Sequence, residues 1–211
     1  MPFEIVSSGK PSPKAMIDFV KFDGKLEERL FKARQEDFMR RHPEGERCSG
    51  DPFYQPTGFP VDPEHVMSSF RLKKVPAKPF PAMGVIGVYP MVSDALYQVM
   101  SRFQDDNLQF FPARLVHDDG ELIYWIHRYL RYSNCVDHER SGYALTNYLD
   151  GKSAWVRPRE KPTVYLRKDC VGERHFWIDV SVQGTLLSDE LGTALTPFLP
   201  KGTALQRAEW V

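Results

Sequence analysis

From residue 84 onward the chain is written in short apolar or alternating runs, and no helix-length segment recurs between them to serve as a regular crossover. The runs are VIGVY (85–89), LQFFPARLV (108–116), ELIYWIHRYL (121–130), TVYLR (163–167), RHFWIDVSV (174–182) and TALQRAEWV (203–211). Parallel neighbours need long, usually helical connections, whereas antiparallel neighbours accept short turns. The pattern therefore predicts an α+β domain with a largely antiparallel sheet and flanking helices. In RHFWIDVSV, Phe176, Ile178, Val180 and Val182 alternate with His175, Trp177, Asp179 and Ser181, so the first set is expected to face the core. ELIYWIHRYL has Leu122, Trp125, Ile126, Tyr129 and Leu130 at helical spacing, but its aromatic and β-branched enrichment favours a strand. Pro112 has no N–H to give to a ladder, which places its strand at an edge or a bulge. The terminal run is expected to close the sheet.

The first 83 residues read differently. Eleven of the 17 prolines fall within residues 1–81: Pro2 and those in KPSPK, RHPEG, DPFYQPTGFPVDPEH and VPAKPFP. One helix is predicted between them, near residues 24–41, with Leu26, Leu30, Phe31 and Phe38 close to one face and charges on the other. We read residues 1–83 as a proline-rich N-terminal arm carrying that helix and packed on the body, and residues 84–211 as the domain. The Pro- and aromatic-rich YQPTGFPVDP stretch is expected to lie over the body rather than to serve as a ligand for a proline-recognising module.

Two phrases 95 positions apart echo each other: VSDALYQVMSRF (92–103) and LSDELGTALTPF (187–198). A helix start leaves N–H groups without intrahelical partners, and a serine at the N-cap accepts from one of them. Ser93 and Ser188 suit that role, and Asp94 and Asp189 suit the positive end of the helix dipole. Leu96 with Met100, and Leu191 with Leu195, then form i, i+4 apolar pairs. Two helix starts, not two active serines, are predicted.

Basic and acidic side chains balance at 28 each, and the basic residues form no stripe interleaved with aromatics, which argues against a nucleic-acid partner. No run of about 18 apolar residues is present, so a membrane span is not expected, and the N-terminus lacks the apolar core of a signal peptide. Cys48, Cys135 and Cys170 are odd in number and widely spaced, which fits reduced thiols and a cytoplasmic setting. Phosphate-loop, dinucleotide, zinc-protease and nucleophile-elbow motifs are all missing, so no cofactor, metal or catalytic residue is assigned.

Two clusters remain as candidate contact sites. Residues 82–150 are net acidic at −4, and Asp105, Asp106, Asp118, Asp119 and Glu121 bracket the LQFFPARLV strand. Such carboxylates suit a basic partner. NCVDHERS (134–141) gathers Cys135, Asp137, His138, Glu139 and Arg140. A thiol enzyme using Cys135 with His138 or His175 is one reading of it. A capped loop, with Asp137 or Ser141 as the cap and Arg140 pairing a carboxylate, is another. Tyr124, Trp125, Trp155 and Trp177 are candidate interface anchors wherever they are exposed.

Residues 84–211 as a whole resemble the family-11 immunity proteins of bacterial polymorphic toxin systems. The likeness rests on an ordered series: an aliphatic residue then Ser93-Asp94, Phe111-Pro112 on a strand, the DHERS phrase from Asp137 to Ser141, a second aliphatic-Ser188-Asp189, and a Gly202-led terminal strand carrying Leu205 where a larger aromatic is expected. The resemblance implies a non-enzymatic protein that binds and silences a cognate toxin domain by stoichiometric occlusion. It carries no catalytic residues to transfer. The alternatives are the Cys135/His138 enzyme and a general protein-interaction module unrelated to toxins.

Overall fold

The computed structural model describes residues 2–7, 19–22, 60–66, 68–72, 80, 82–86, 89–130, 132–147, 153–156, 163–179, 185–199 and 203–211, and scattered positions between 29 and 41. The described residues within the predicted 24–41 helix are helical, and its apolar residues Leu26, Leu30, Phe31 and Phe38 lie outside the described set. So do Cys48 and the segment 51–59.

Two sheets organise the chain. The strands, in order, are β1 (Phe3–Ser7), β2 (Phe19–Phe22), β3 (Ser69–Leu72), β4 (Met83–Ile86), β5 (Tyr89–Ser93), β6 (Leu108–His117), β7 (Gly120–Tyr129), β8 (Tyr132–Ser133), β9 (Ala144–Asn147), β10 (Ser153–Val156), β11 (Tyr165–Leu166), β12 (Phe176–Asp179), β13 (Thr185–Leu187), β14 (Thr203–Arg207) and β15 (Glu209–Trp210). A six-stranded sheet runs β2-β3-β6-β7-β5-β4, and a five-stranded one runs β14-β1-β13-β12-β8. β9 pairs with β10, and β11 with β15. Most pairings are antiparallel; β3–β6, β8–β12 and β11–β15 are parallel. The α+β reading holds.

Details differ from the sequence expectation for physical reasons. VIGVY falls on two strands, because β4 and β5 pair with Ile86 opposite Tyr89. The Pro112 strand is interior, between β3 and β7, and no bulge interrupts its register from Leu108↔Tyr129 to His117↔Gly120. β3 pairs only with residues 114–116, so Pro112 lies beyond that ladder, where its missing N–H costs nothing on the β3 side. The strand expected for ELIYWIHRYL is β7, which ends at Tyr129. The alternation expected for RHFWIDVSV fails on β12: Phe176 and Trp177 are both buried, and so is Asp179. Both faces of β12 are covered, one by the helices described next and the other by a cluster that includes Trp210, stacked on Trp177 at 6.5 Å.

The first third of the chain also supplies strands. β1 sits inside the five-stranded sheet, between β13 and β14, and β2 and β3 extend the six-stranded one. The proline-rich stretch is described only from residue 60 onward. Val61 is buried in the core, and its backbone exchanges hydrogen bonds with the Gln109 side chain at 2.9 and 3.2 Å.

The doubled phrase builds α1 (Asp94–Met100) and α3 (Asp189–Leu195); a one-turn helix, α2 (Lys168–Val171), lies between them in sequence. Ser93 and Ser188 have almost the same backbone, φ −64° ψ 161° and φ −63° ψ 161°. Their hydroxyls accept from Leu96 N–H at 3.3 Å and Leu191 N–H at 3.2 Å. Leu96, Met100, Leu191 and Leu195 are all buried in one cluster with Val92, Leu108, Tyr129, Phe176 and Leu187. That cluster draws on both sheets, so the two helices form the seam between them.

Candidate functional site

The segment after α1 and the segment around α2 form the walls of an open cleft of about 620 Å³. One wall is Gln104, Asp105 and Asp106; the other runs from Asp169 to His175. Local chemistry shapes each wall. Asp105 folds its own turn, accepting from Asn107 N–H at 2.7 Å. Gln104 ties the turn to β6 by donating to the Leu108 carbonyl at 3.1 Å. On the far wall, Gly172 ends α2 at φ +61°, a conformation that L side chains rarely adopt. Arg174 reaches Ser133 at 3.2 Å.

His175 does not lie on β12 but just before it, half-buried. Its Nδ1 shares a 2.9 Å hydrogen bond with the Ser188 cap hydroxyl, and its ring meets Phe103 edge-on at 5.1 Å. The expected surface histidine is thus a brace between the cleft wall and the α3 cap.

The cleft is lined by the carboxylates of Asp105, Asp106, Asp169 and Glu173 against Arg174. Sequence reasoning found the first pair and missed the second. DCVGE offers two acids in a polar turn, but nothing local says that the turn faces residues more than sixty positions earlier. The other predicted acids stay apart. Asp118, Asp119 and Glu121 sit at the opposite end of β6, about 30 Å away along a ten-residue strand. There Asp118 is fully exposed 3.8 Å from Arg71, and Glu121 lies 3.8 Å from Arg114.

The DHERS loop borders a second open groove, shared with Asn134, Val136 and Arg167. Asp137 caps the loop: its carboxylate accepts from Arg140 N–H at 3.0 Å, and its carbonyl accepts from Ser141 N–H at 3.0 Å. Arg140 stays exposed, 4.0 Å from the same carboxylate. Ser141 is fully buried and its hydroxyl accepts from Tyr165 N–H at 2.9 Å, pinning the loop to β11. Arg167 closes the groove by donating to the Asn134 carbonyl at 2.6 Å. Because Arg167 adjoins α2, the groove and the acidic cleft lie on either side of one short wall.

Beneath that wall, buried Asp179 accepts from the N–H groups of Cys135 and Val136 at 2.5 and 3.3 Å. Cys135 has no exposed surface. Burial, reinforced by the nearby Cys170 and Asp179, pushes its thiol up to about 12. Burial also holds His138 below the usual histidine range. Both shifts favour the neutral forms, the reverse of what a thiolate–imidazolium pair needs. Of the candidate anchors, Tyr124 and Trp177 are core residues, and the Trp155 side chain lies outside the described set. Trp125 is half-buried, stacked on Tyr97 at 3.7 Å and donating to Asp94 at 2.9 Å. Among the described residues no helix is long and apolar enough to cross a membrane.

Among curated proteins none matches the sequence. The model of the Immunity protein family (Imm11) matches residues 26–209, reaching from the first third of the chain almost to its end. With the match spanning strands of both sheets and both capped helices, the chain belongs to the Imm11 immunity protein family.

Proposed function

We propose that this protein neutralises one cognate toxin domain in the cytoplasm, by stoichiometric binding that occludes the toxin's active site or substrate path. The family membership carries this reading. The surface we assign to the contact is the acidic cleft together with the adjoining DHERS groove, where Asp106, Asp169 and Glu173 stand exposed around a concave floor. A concave, carboxylate-rich face suits a cationic segment of a partner and would speed and select the encounter.

Co-expression with a toxic domain encoded beside this gene tests the function, scored by survival and co-purification. Survival with a stable complex is expected; death with soluble, folded protein and no complex overturns the pairing. Asp106→Lys with Glu173→Lys tests the surface and is expected to weaken the complex at least about tenfold, chiefly through slower association at low salt. Asp118→Lys with Asp119→Lys, at the far end of β6, is the matched control and is expected to change little. An equal effect of the two pairs would move the contact away from the cleft.

A further inference from the structure

Cys170 lines the acidic cleft and packs against the buried cluster that holds Cys135. Both thiols are free. Their backbones are tied to one residue: Arg167 donates its N–H to the Cys135 carbonyl at 2.8 Å and accepts at its own carbonyl from Cys170 N–H at 3.3 Å. A cleft-lining thiol packed on the cluster that holds a second thiol, with both backbones tied to Arg167, is the arrangement needed for attack followed by resolution.

We propose that Cys170 and Cys135 form a two-thiol exchange site that takes a small cationic disulfide from the cleft and closes into an intramolecular disulfide. The Cys170 thiolate attacks one sulfur of the disulfide RSSR, forming a Cys170–SR bond and releasing RS⁻. Cys135 gives up its proton and attacks the Cys170 sulfur, which expels the second RS⁻. The two cysteines are oxidised by two electrons, RSSR is reduced, and two RSH leave with the two thiol protons. The carboxylates of Asp105, Asp106, Asp169 and Glu173 set the preference for a cationic over an anionic disulfide. The buried Cys135 makes the second step slow and base-dependent, accelerating about tenfold per pH unit below its thiol pKa.

The test uses the full chain with cystamine and, in parallel, oxidised glutathione as probes. Peptide mapping of the wild type is expected to show a Cys135–Cys170 link, and a Cys48→Ser variant is expected to lose two titratable thiols together with the mass of two hydrogens. Cystamine is expected to react about tenfold faster than oxidised glutathione at low salt, with the gap closing as salt rises. Cys170→Ser in the Cys48→Ser background, which leaves only the buried Cys135, is expected to be inert. Arrest at a mixed adduct on Cys170, or undiminished reaction of that double variant, overturns the site. Equal rates for the two probes at low salt overturn the charge selection.

Discussion

The two Ser-Asp corners begin alike and end differently. Each follows a strand, each caps with serine at nearly the same φ and ψ, and each buries a leucine at the third helical position. One position later they diverge: α1 has Tyr97, whose ring stacks on Trp125 of β7, and α3 has Gly192, over which the Phe3 ring of β1 lies. The α1 corner brings bulk to the six-stranded sheet. The α3 corner makes a hollow and lets the N-terminal strand fill it. The shared part is backbone capping, which any sequence context can use; the divergent part is packing, which depends on the sheet each helix meets.

Breaking the hollow gives the largest expected effect. A Cβ on Gly192 would sit 2.4 Å from a Phe3 ring carbon, and β1 is held on both sides by β13 and β14. Gly192→Leu is expected to cost about 3 kcal/mol, from overpacking against the Phe3 ring. Tyr97→Leu, the same side chain placed at the matching position of α1, is expected to cost about 1 kcal/mol through the lost stack. Denaturant melts of the two variants check the contrast, and equal costs would mean that the hollow is not the distinguishing feature.

The seam between the corners supplies the next effect. His127 of β7 touches Phe110, which packs on Tyr97, and Phe176, which belongs to the sheet that α3 covers. Burial there lowers its pKa from 6.5 to about 4. A histidine depressed in the folded state is neutral when folded and charges more readily when unfolded. Its contribution is therefore full above pH 6.5 and is lost as pH falls from 6.5 towards 4. Between pH 6.5 and 5 the parent is expected to lose about 2 kcal/mol more than a His127→Gln variant. Parallel pH–stability curves for the two would show that the seam does not desolvate this ring.

What the sequence made legible follows the same division. The caps were readable because a serine and the N–H it satisfies are three residues apart, and β6 and β7 were readable because they form one hairpin in continuous register. The place of β1 was not readable. FEIVS is five residues long, and its partners are about 180 and 200 positions away. The exposed Trp177 and Asp179 expected from alternation failed for a related reason, since alternation marks a strand with one wet face and β12 has none. The acidic clusters were half legible: Asp105 and Asp106 were visible as a pair, but their meeting with Asp169 and Glu173 is tertiary.

The smallest effect separates the caps themselves. Ser93→Ala removes one acceptor for Leu96 N–H and is expected to cost about 1 kcal/mol. Ser188→Ala removes the equivalent acceptor for Leu191 N–H and also the hydroxyl that braces His175 Nδ1. Its cost should be higher by about 0.5 to 1.5 kcal/mol, the usual net worth of one hydrogen bond. The surplus should vanish in a His175→Phe background, where the ring contact with Phe103 is kept but the ring nitrogens are gone, while the cap term remains. A double-mutant cycle that closes to zero would make the two corners equivalent at their caps and leave their divergence to Tyr97 and Gly192 alone. A nonzero coupling would show that the α3 cap is also part of the cleft wall, so that strain applied to the cleft by a bound partner reaches the helix through His175.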